Sequence, residues 1–581
     1  MEDIEGNKDE TTNQDKNNNQ DSEENLTGLN KILLFFSFHW RGVVALLTPI
    51  LASLTLLPLP PEKYQWCAYT LIIMTVYWVT EAIPLPVTSF LPVAIFPLAG
   101  LMSTAETCMF YMNDTILMFI AGLFLAYAIE QSGLHKRLAL NVILMIGFSH
   151  KKLLLAMSVT TMFISFWITN TAATTMMIPI NFAVLQVFEN RNTLSIYDIN
   201  EETGAKTASD ITTCYFCAAS FSASIGGIAT LVGSGTNLAL KGIFTAEYPD
   251  APEYFSFPLF SAFGLPLAIS LETACYLCLA IQYLGLFRPN SRQAKETSLS
   301  QDATEAVKET ILLEIEKLGK ISFGEIMVAI IFSIAMLGFF LRSPQMFVGW
   351  GDKIKMDYSI EGKYIQDSTW AYLIAVVIML LPFSLDLFNY FRMSVTEDEL
   401  PMQPIRSMLD WNLMAAVLPF SFVFLLGGGF AISEAAKQGL NEKIGKLLSS
   451  LRNVPTPMIV LCLLIFTMLV TNVASNVAVC NVLGAIAMSM SGEIHANPLL
   501  FAVTVGFTAS FCFMLPVGTP GNIIIQGAAS IPTMKMIKTG AGPSLCTIVI
   551  SWLAFCYWSP VVWPDINTMP EWIHNTSNKT A

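Results

Sequence analysis

The sequence predicts an all-α polytopic membrane protein made of two inverted repeats, with discontinuous helices, two re-entrant hairpins and about eleven transmembrane spans. Three observations lead there. Of 581 residues, 54% are hydrophobic and only 13% charged, with a mean hydropathy of +0.56, whereas a soluble domain carries about 25% charge. Nearly uncharged runs recur, among them 43–59, 66–79, 87–101, 255–286, 326–341 and 370–385, most of them near the ~20 residues a helix needs to cross the hydrocarbon. Finally, one polar motif occurs twice inside apolar sequence: Ile168-Thr169-Asn170-Thr171-Ala172 and Ala474-Ser475-Asn476-Val477-Ala478. Asn170 and Asn476 are 306 residues apart, as are Gly133 and Gly439. Each motif is followed by a second polar break, Gly233-Ser234-Gly235-Thr236-Asn237 and Gly518-Thr519-Pro520-Gly521-Asn522. Paired helix interruptions in corresponding halves point to the substrate site of a secondary transporter.

Residues 1–37 read as a disordered cytoplasmic tail. Met1–Asn30 holds nine acids against Lys8 and Lys16, which is −7 of the formal −13, and is too polar to bury a core. It has neither the basic start nor the apolar stretch of a signal peptide. Spans are expected at 43–60, 66–83, 86–104, 114–132, 211–245, 254–286, 322–342, 366–391, 411–436, 498–530 and 541–563. The segments 153–188 and 454–490 are expected to be hairpins, each with the Asn motif near its middle, because about 36 residues is long for a single span. The domain order is then first scaffold spans 38–113, repeat 1 core 114–250 with its hairpin and broken helix 211–245, scaffold span 251–287, cytoplasmic loop 288–320, scaffold spans 321–410, repeat 2 core 411–535 with its hairpin and broken helix 498–530, and last span with extracellular C-terminus 536–581.

Five spans plus a hairpin in each unit make the second unit inverted relative to the first. His135-Lys136-Arg137, Lys151-Lys152 and the six Lys/Arg of 288–320 fall on one side, hence cytoplasmic; Lys353, Lys355 and Lys363 fall on the other. Asn575 and Asn578 stand in N-glycosylation triplets that an odd span count places outside, whereas the Asn25 triplet lies in the tail. The CxxC pairs Cys214/Cys217 and Cys275/Cys278 have no matching ligand cluster and read as small core residues.

An anion at the membrane midplane needs fixed donors in place of water. A helix N-terminus supplies about +0.5 charge and free N–H groups. Thr169-Asn170-Thr171 and Ser475-Asn476 have N-cap composition, so two hairpin tips would aim two positive helix ends and two carboxamides at one spot, an arrangement suited to a molecule with two carboxylates. The same breaks free carbonyls for a cation such as Na⁺. A lone Ser, Thr or Asn in a membrane helix ordinarily bonds a neighbouring helix; the doubled register favours function at Asn170 and Asn476. Ser165 and Thr471, one turn earlier, either bond back to their own helix or ligate an ion. Glu81, Glu130 and Glu434 are functional suspects as ionisable groups in or near spans, and Trp411 and Trp563 read as interfacial anchors.

At these motifs the chain resembles the divalent anion/sodium symporter family, in its animal di- and tricarboxylate branch. The resemblance runs from Phe38-His39-Trp40 to Trp572. Its most specific passages are Trp78 to Thr88 (Trp-Val-Thr-Glu-Ala-Ile-Pro-Leu-Pro-Val-Thr), Leu426-Gly427-Gly428-Gly429-Phe430-Ala431, and Ser510 through Asn522. The family pattern is Ser-Asn-Thr at both tips. The resemblance implies substrate contacts from Thr169, Asn170, Thr171, Ser234 and Gly235 in the first half and from Ser475, Asn476, Val477, Thr519 and Pro520 in the second. It implies one Na⁺ site at Ser165, Thr169, Asn170 and Gly233 and another at Thr471, Ala474, Asn476 and Gly518. It also implies a homodimer with a scaffold and an elevator-like transport domain. Thr169 keeps the hydroxyl of the family's Ser, but Val477 deletes one. A Na⁺-independent citrate exchanger of that branch is similar at this tip.

The expected function is secondary transport of di- and tricarboxylates such as citrate and succinate across the plasma membrane, by exchange without Na⁺, or alternatively by Na⁺-coupled symport. A sulfate carrier of the same family is the nearest rival. An enzyme is not expected: HExxH, GxxxxGK[ST] and GxSxG are absent and five His are scattered over the chain. No cofactor beyond Na⁺ and no nucleic-acid partner is expected; the surroundings are the lipid bilayer.

Overall fold

The computed structural model describes residues 28–573 apart from 58, 192–193, 200–205, 289, 292–300, 361, 393–399, 449–451 and 571. Helices dominate; one two-stranded antiparallel sheet pairs Tyr197–Ile199 with Lys206–Ala208. The glycosylation triplets at Asn575 and Asn578 and the tail up to residue 27 lie outside the described residues.

Two hairpins form where the Asn motifs interrupt the apolar runs. Helix His150–Ser165 starts at Ser149, whose hydroxyl accepts the Lys152 N–H at 3.4 Å, and stops before residues 166–169. Helix Asn170–Asn190 then begins at Thr169, whose hydroxyl accepts the Ala172 N–H at 3.3 Å, a Thr N-cap. The second hairpin repeats this with Thr456–Thr471 and Asn476–Ile494. Both expected broken helices are broken: Asp210–Gly226 resumes as Gly235–Glu247, and Pro498–Thr508 as Pro520–Ala529.

The halves pack reciprocally. The returning arm of hairpin 1, Asn170–Asn190, packs on Pro520–Ala529 of the second half, and the returning arm of hairpin 2, Asn476–Ile494, packs on Gly235–Glu247 of the first. Such i-to-j and j-to-i contacts are what a two-fold relation produces.

Among the described residues, six helices are long and apolar enough to cross a membrane, or seven with the pair Trp411–Val417 and Phe420–Ala436, which bends by 57° at Leu418-Pro419. Several expected spans are shorter or split. The run 86–104 holds Pro86, Pro92 and Pro97 and divides into Leu85–Thr88 and Leu91–Leu98; 366–391 stops at Leu380, ahead of Pro382. A proline ring clashes with the preceding turn and cannot donate to it.

Three other readings change. Helix Gly28–Ala52 begins inside the segment expected to be disordered. The loop 288–320 contains helix Gln301–Lys317, which buries Val307 and Ile311 and packs on hairpin 1. Trp563 is no interfacial anchor: it is 2% exposed, packs on Phe255 and Phe263, and donates to Tyr254 O at 3.0 Å. Trp411 is exposed.

The triple glycine of Phe420–Ala436 marks a three-way crossing. A Cβ on Gly427 would strike the Tyr111 ring, one on Gly429 the Asn481 amide, and one on Gly428 would lie 2.8 Å from the backbone oxygen of Ser89. Close helix approach in membranes relies on such small residues. Overpacking costs about 1–3 kcal/mol. Gly428→Ala should therefore lower the melting temperature of the solubilised protein clearly, whereas Gly492→Ala, with nothing within 4 Å of its Cβ, should not. Equal melting of the two variants would show that the crossing relaxes freely.

Candidate functional site

The two tips and the two breaks meet in one cavity of about 1220 Å³. Thr169, Asn170 and Thr171 line it from hairpin 1, and Ser475, Asn476 and Val477 from hairpin 2. Gly233, Ser234 and Gly235 come from the first break and Gly518, Thr519 and Pro520 from the second. Four helices thus begin at the cavity, at Asn170, Gly235, Asn476 and Pro520. Each N-terminus carries roughly half a positive charge and unpaired N–H groups. The sequence reading placed two such ends here; the structure doubles them. Residues 166–175, 227–236, 472–478 and 509–521 contain no charged side chain, so the tips and breaks can hold an anion only through dipoles and hydrogen bonds.

Ser165, Thr471 and Ala474 sit behind the tips, buried. In the first half the Ser165 hydroxyl lies 2.8 Å from Asn170 Oδ1 and 2.7 Å from Ala223 O. A single O–H donates to only one of them at a time. Around Gly233 the backbone turns oxygen inward: a Cβ there would meet Gly227 O at 2.7 Å, Ser165 O at 3.0 Å and Phe166 O at 3.1 Å. A side chain at this position would fill the space where these carbonyls converge.

The second half repeats the pattern. The Thr471 hydroxyl lies 2.8 Å from Asn476 Oδ1 and 2.5 Å from Ala509 O. The inner terminal atom of the Asn476 amide also faces Gly518 O at 3.0 Å and Ala509 O at 3.1 Å. Placed as nitrogen, its two N–H groups can serve two of these three oxygens at a time; placed as oxygen, it completes a cluster of four oxygens with no N–H among them. The second arrangement is the donor set of a hard cation such as Na⁺, and these residues fit one. Thr471, Asn476, Ala509 and Gly518 would hold it and it would supply fixed positive charge beside the tip.

Two asymmetries separate the tips. Ser475 stands at the N-cap position expected of it but its side chain makes no cap bond, unlike Thr169. Val477 points its Cγ2 toward Gly235, which it would approach to 3.8 Å of a Cβ there; its side chain is not part of the oxygen cluster.

Sequence reading missed the residues that keep the breaks open. Asn237 Nδ2 donates to Gly227 O and Thr230 O, both at 2.7 Å, and Asn522 Nδ2 donates to Cys512 O and Leu515 O, both at 3.0 Å. One offset of 285 residues relates all three positions, and that repetition was visible in the paired break motifs. The carbonyls of Ala223 and Ala509 left no such mark. Phe119 and Phe422, tilted against each other beside Gly235 with ring centroids 6.1 Å apart, add an apolar wall. Of the suspected acids, Glu81 and Glu130 line the cavity together with Arg41 and Lys136. Glu434 does not; it pairs with Lys437 at 2.8 Å.

The transmembrane region of the sodium:sulfate symporter family matches residues 38–564. Protein I'm not dead yet of Drosophila melanogaster is 35% identical over 551 residues, covering 93% of this chain and 92% of its own length. Solute carrier family 13 member 2 of Oryctolagus cuniculus is 33% identical, covering 93% and 97%. The Na(+)/citrate cotransporter of Rattus norvegicus is 32% identical, covering 93% and 98%. The chain belongs to the sodium:sulfate symporter family and is a membrane transporter, not an enzyme.

Proposed function

We propose that the protein is a plasma-membrane carrier of di- and tricarboxylates such as citrate and succinate, working by exchange and by an elevator-like movement of the two hairpins and broken helices against a dimeric scaffold. The observation behind it is the meeting of four helix N-termini, free of charged side chains, and two Asn side chains in one cavity. That arrangement offers separated donor clusters for separated carboxylates, more than the compact sulfate ion needs. The relatives named for citrate support the same substrate class. Na⁺-independence rests on Val477, which carries no hydroxyl. A second reading, Na⁺-coupled symport, is favoured by the oxygen cluster of Thr471, Asn476, Ala509 and Gly518, which lacks nothing that residue 477 would supply.

Three outcomes test these readings. Asn170→Ala and Asn476→Ala, at normal surface expression, should each weaken the apparent affinity for citrate and succinate about 10–150-fold, since a hydrogen bond to a charged group is worth about 1.5–3 kcal/mol; wild-type affinity in either would remove the Asn pair from the site. Replacing Na⁺ with choline should leave citrate uptake largely intact, with external citrate speeding efflux of preloaded citrate. If choline abolishes uptake and efflux is not stimulated, the carrier is a Na⁺ symporter; sulfate outcompeting citrate would sink the carboxylate reading. With the tail cytoplasmic and an odd number of spans, an N-glycosidase mobility shift should vanish in the Asn575→Gln/Asn578→Gln variant. A shift lost only on Asn25→Gln would invert the topology.

A further inference from the structure

Away from the cavity, four ionisable side chains are packed into one cluster. Lys241 lies on Gly235–Glu247, the helix whose N-terminus lines the site; Arg342 ends Phe323–Arg342, and Asp367 begins Asp367–Leu380. All three are buried, and the Glu253 side chain is only 18% exposed. Lys241 Nζ is 2.8 Å from Asp367 Oδ2, and Arg342 Nη2 pairs with Glu253 Oε1. Arg342 Nε is also 2.6 Å from Asp367 Oδ1, and Lys241 Nζ is 3.9 Å from Glu253 Oε1.

These four belong to two bodies. Glu253 opens the segment 251–287 expected from sequence to be scaffold, but it goes with the helix of Lys241. Phe244 of that helix packs on Tyr254 and Phe255 with ring centroids 6.1 and 5.2 Å apart. Phe257–Tyr283 packs on Asp210–Gly226 and hairpin 1, while Phe257 meets Phe339 and Phe340 across the seam. Arg342 and Asp367 are joined by their own pair and by Arg342 Nη1 donating to Ile365 O at 2.9 Å. The helices of Arg342 and Asp367 pack on each other and on Asp114–Ser132, whereas Gly235–Glu247 packs on hairpin 2 and on Pro498–Thr508 and meets Asp114–Ser132 and Phe420–Ala436 across the seam. Of these four, each body contributes one cation and one anion; Asp114 and Lys363 add one of each sign on the Asp367 side, so neither body gains net charge, and the seam between them is closed by the two cross pairs.

We infer that Lys241, Glu253, Arg342 and Asp367 are positioning residues of the transport cycle, forming an exchangeable clasp between the moving core and the scaffold. This rests on the moving-core part of the proposed function. In the present arrangement the cross pairs hold the core. When the core moves, Lys241 turns to Glu253 and Arg342 keeps Asp367, so each body leaves neutral. A buried charge stripped of its partner is strongly destabilising; the second set of pairs removes that obstacle to movement. A static bridge would need only the cross pairs. The residual Lys241–Glu253 and Arg342–Asp367 contacts are what a separable seam needs in addition.

Charge exchange separates the two cases. Lys241→Asp/Asp367→Lys preserves attraction across the seam but sets like charges beside Glu253 on one body and beside Arg342 on the other. Its saturating uptake rate should fall about tenfold or more at equal surface amounts, with little change in KM. Lys241→Asp/Glu253→Lys/Arg342→Asp/Asp367→Arg restores both sets and should recover to within about threefold of wild type. A double variant as fast as wild type, or a quadruple variant no faster than the double, would overturn the clasp. A second measurement covers failure of these variants to fold. Glu253→Gln removes one cross pair, and Val417→Cys, exposed at the cavity wall, reports the conformer through its rate of labelling by a thiol reagent in permeabilised cells. Adding Glu253→Gln should change that rate at least about threefold; an unchanged rate overturns the proposal. Labelling needs no substrate, so a shifted rate in a protein that carries no carboxylate would refute the substrate reading and leave the clasp standing.

Discussion

Everything at this site depends on a constraint of the bilayer: backbone N–H and C=O groups at membrane depth must be partnered by protein or face a polar cavity. Four helix interruptions in one place would ordinarily be prohibitive. Here each break is held by a buried Asn, Asn237 in one half and Asn522 in the other, each bonding two carbonyls of its own loop. Thr230 does the same across chains of the fold by donating to Phe166 O in the hairpin. Ser220 in turn donates to Asn522 Oδ1 at 2.7 Å, tying the first broken helix to the second. The groups left over are those at the cavity, and they are the ones available to a ligand.

The breaks serve both signs of charge. Where one half-helix starts, N–H groups point into the cavity; where its partner ends, at Ser165, Gly226, Thr471 and Thr508, carbonyl oxygens are left. An anion and a cation can therefore be met a few ångströms apart by the same interruption of the chain, with no charged side chain at tips or breaks. A formal salt bridge would hold a di- or tricarboxylate firmly but would leave a bare buried charge after release. Dipoles avoid that penalty, because the empty site stays neutral. Charged residues that do line the cavity, Arg41, Glu81, Glu130 and Lys136, belong to neither the tips nor the breaks.

The parts legible in the sequence were those with a repeated side-chain pattern. Asn170 with Asn476 and the paired Gly-rich breaks located both hairpins and both broken helices, because a polar cluster in an apolar run has few structural explanations. The helix Gln301–Lys317 was hidden by its charge: it reads as loop by hydropathy, yet its Val307 and Ile311 face the protein. Trp563 misled for the opposite reason, since its ring sits near the end of an apolar segment and only tertiary packing on Phe255 and Phe263 shows it to be core. Counting spans by length failed wherever proline or the site itself divided a helix. The carbonyls of Ala223 and Ala509 could not be found at all, because a backbone oxygen carries no side-chain identity.

Symmetry sets where the two tips stand, and side chains then make them unequal. At the first tip, the Thr169 hydroxyl is engaged as a cap by the Ala172 N–H, and Thr171 adds a second hydroxyl at the cavity. At the second, the Ser475 hydroxyl caps nothing and Val477 adds none. The inner terminal atom of the Asn476 amide faces the Thr471 hydroxyl and the carbonyls of Ala509 and Gly518. Asn170 stands in the same way, its Oδ1 2.8 Å from the Ser165 hydroxyl as that of Asn476 is 2.8 Å from the Thr471 hydroxyl. What separates the tips is therefore the cap and residue 477: one half keeps hydroxyls at Thr169 and Thr171, while the other leaves Ser475 uncapping and sets the apolar Val477 at the cavity.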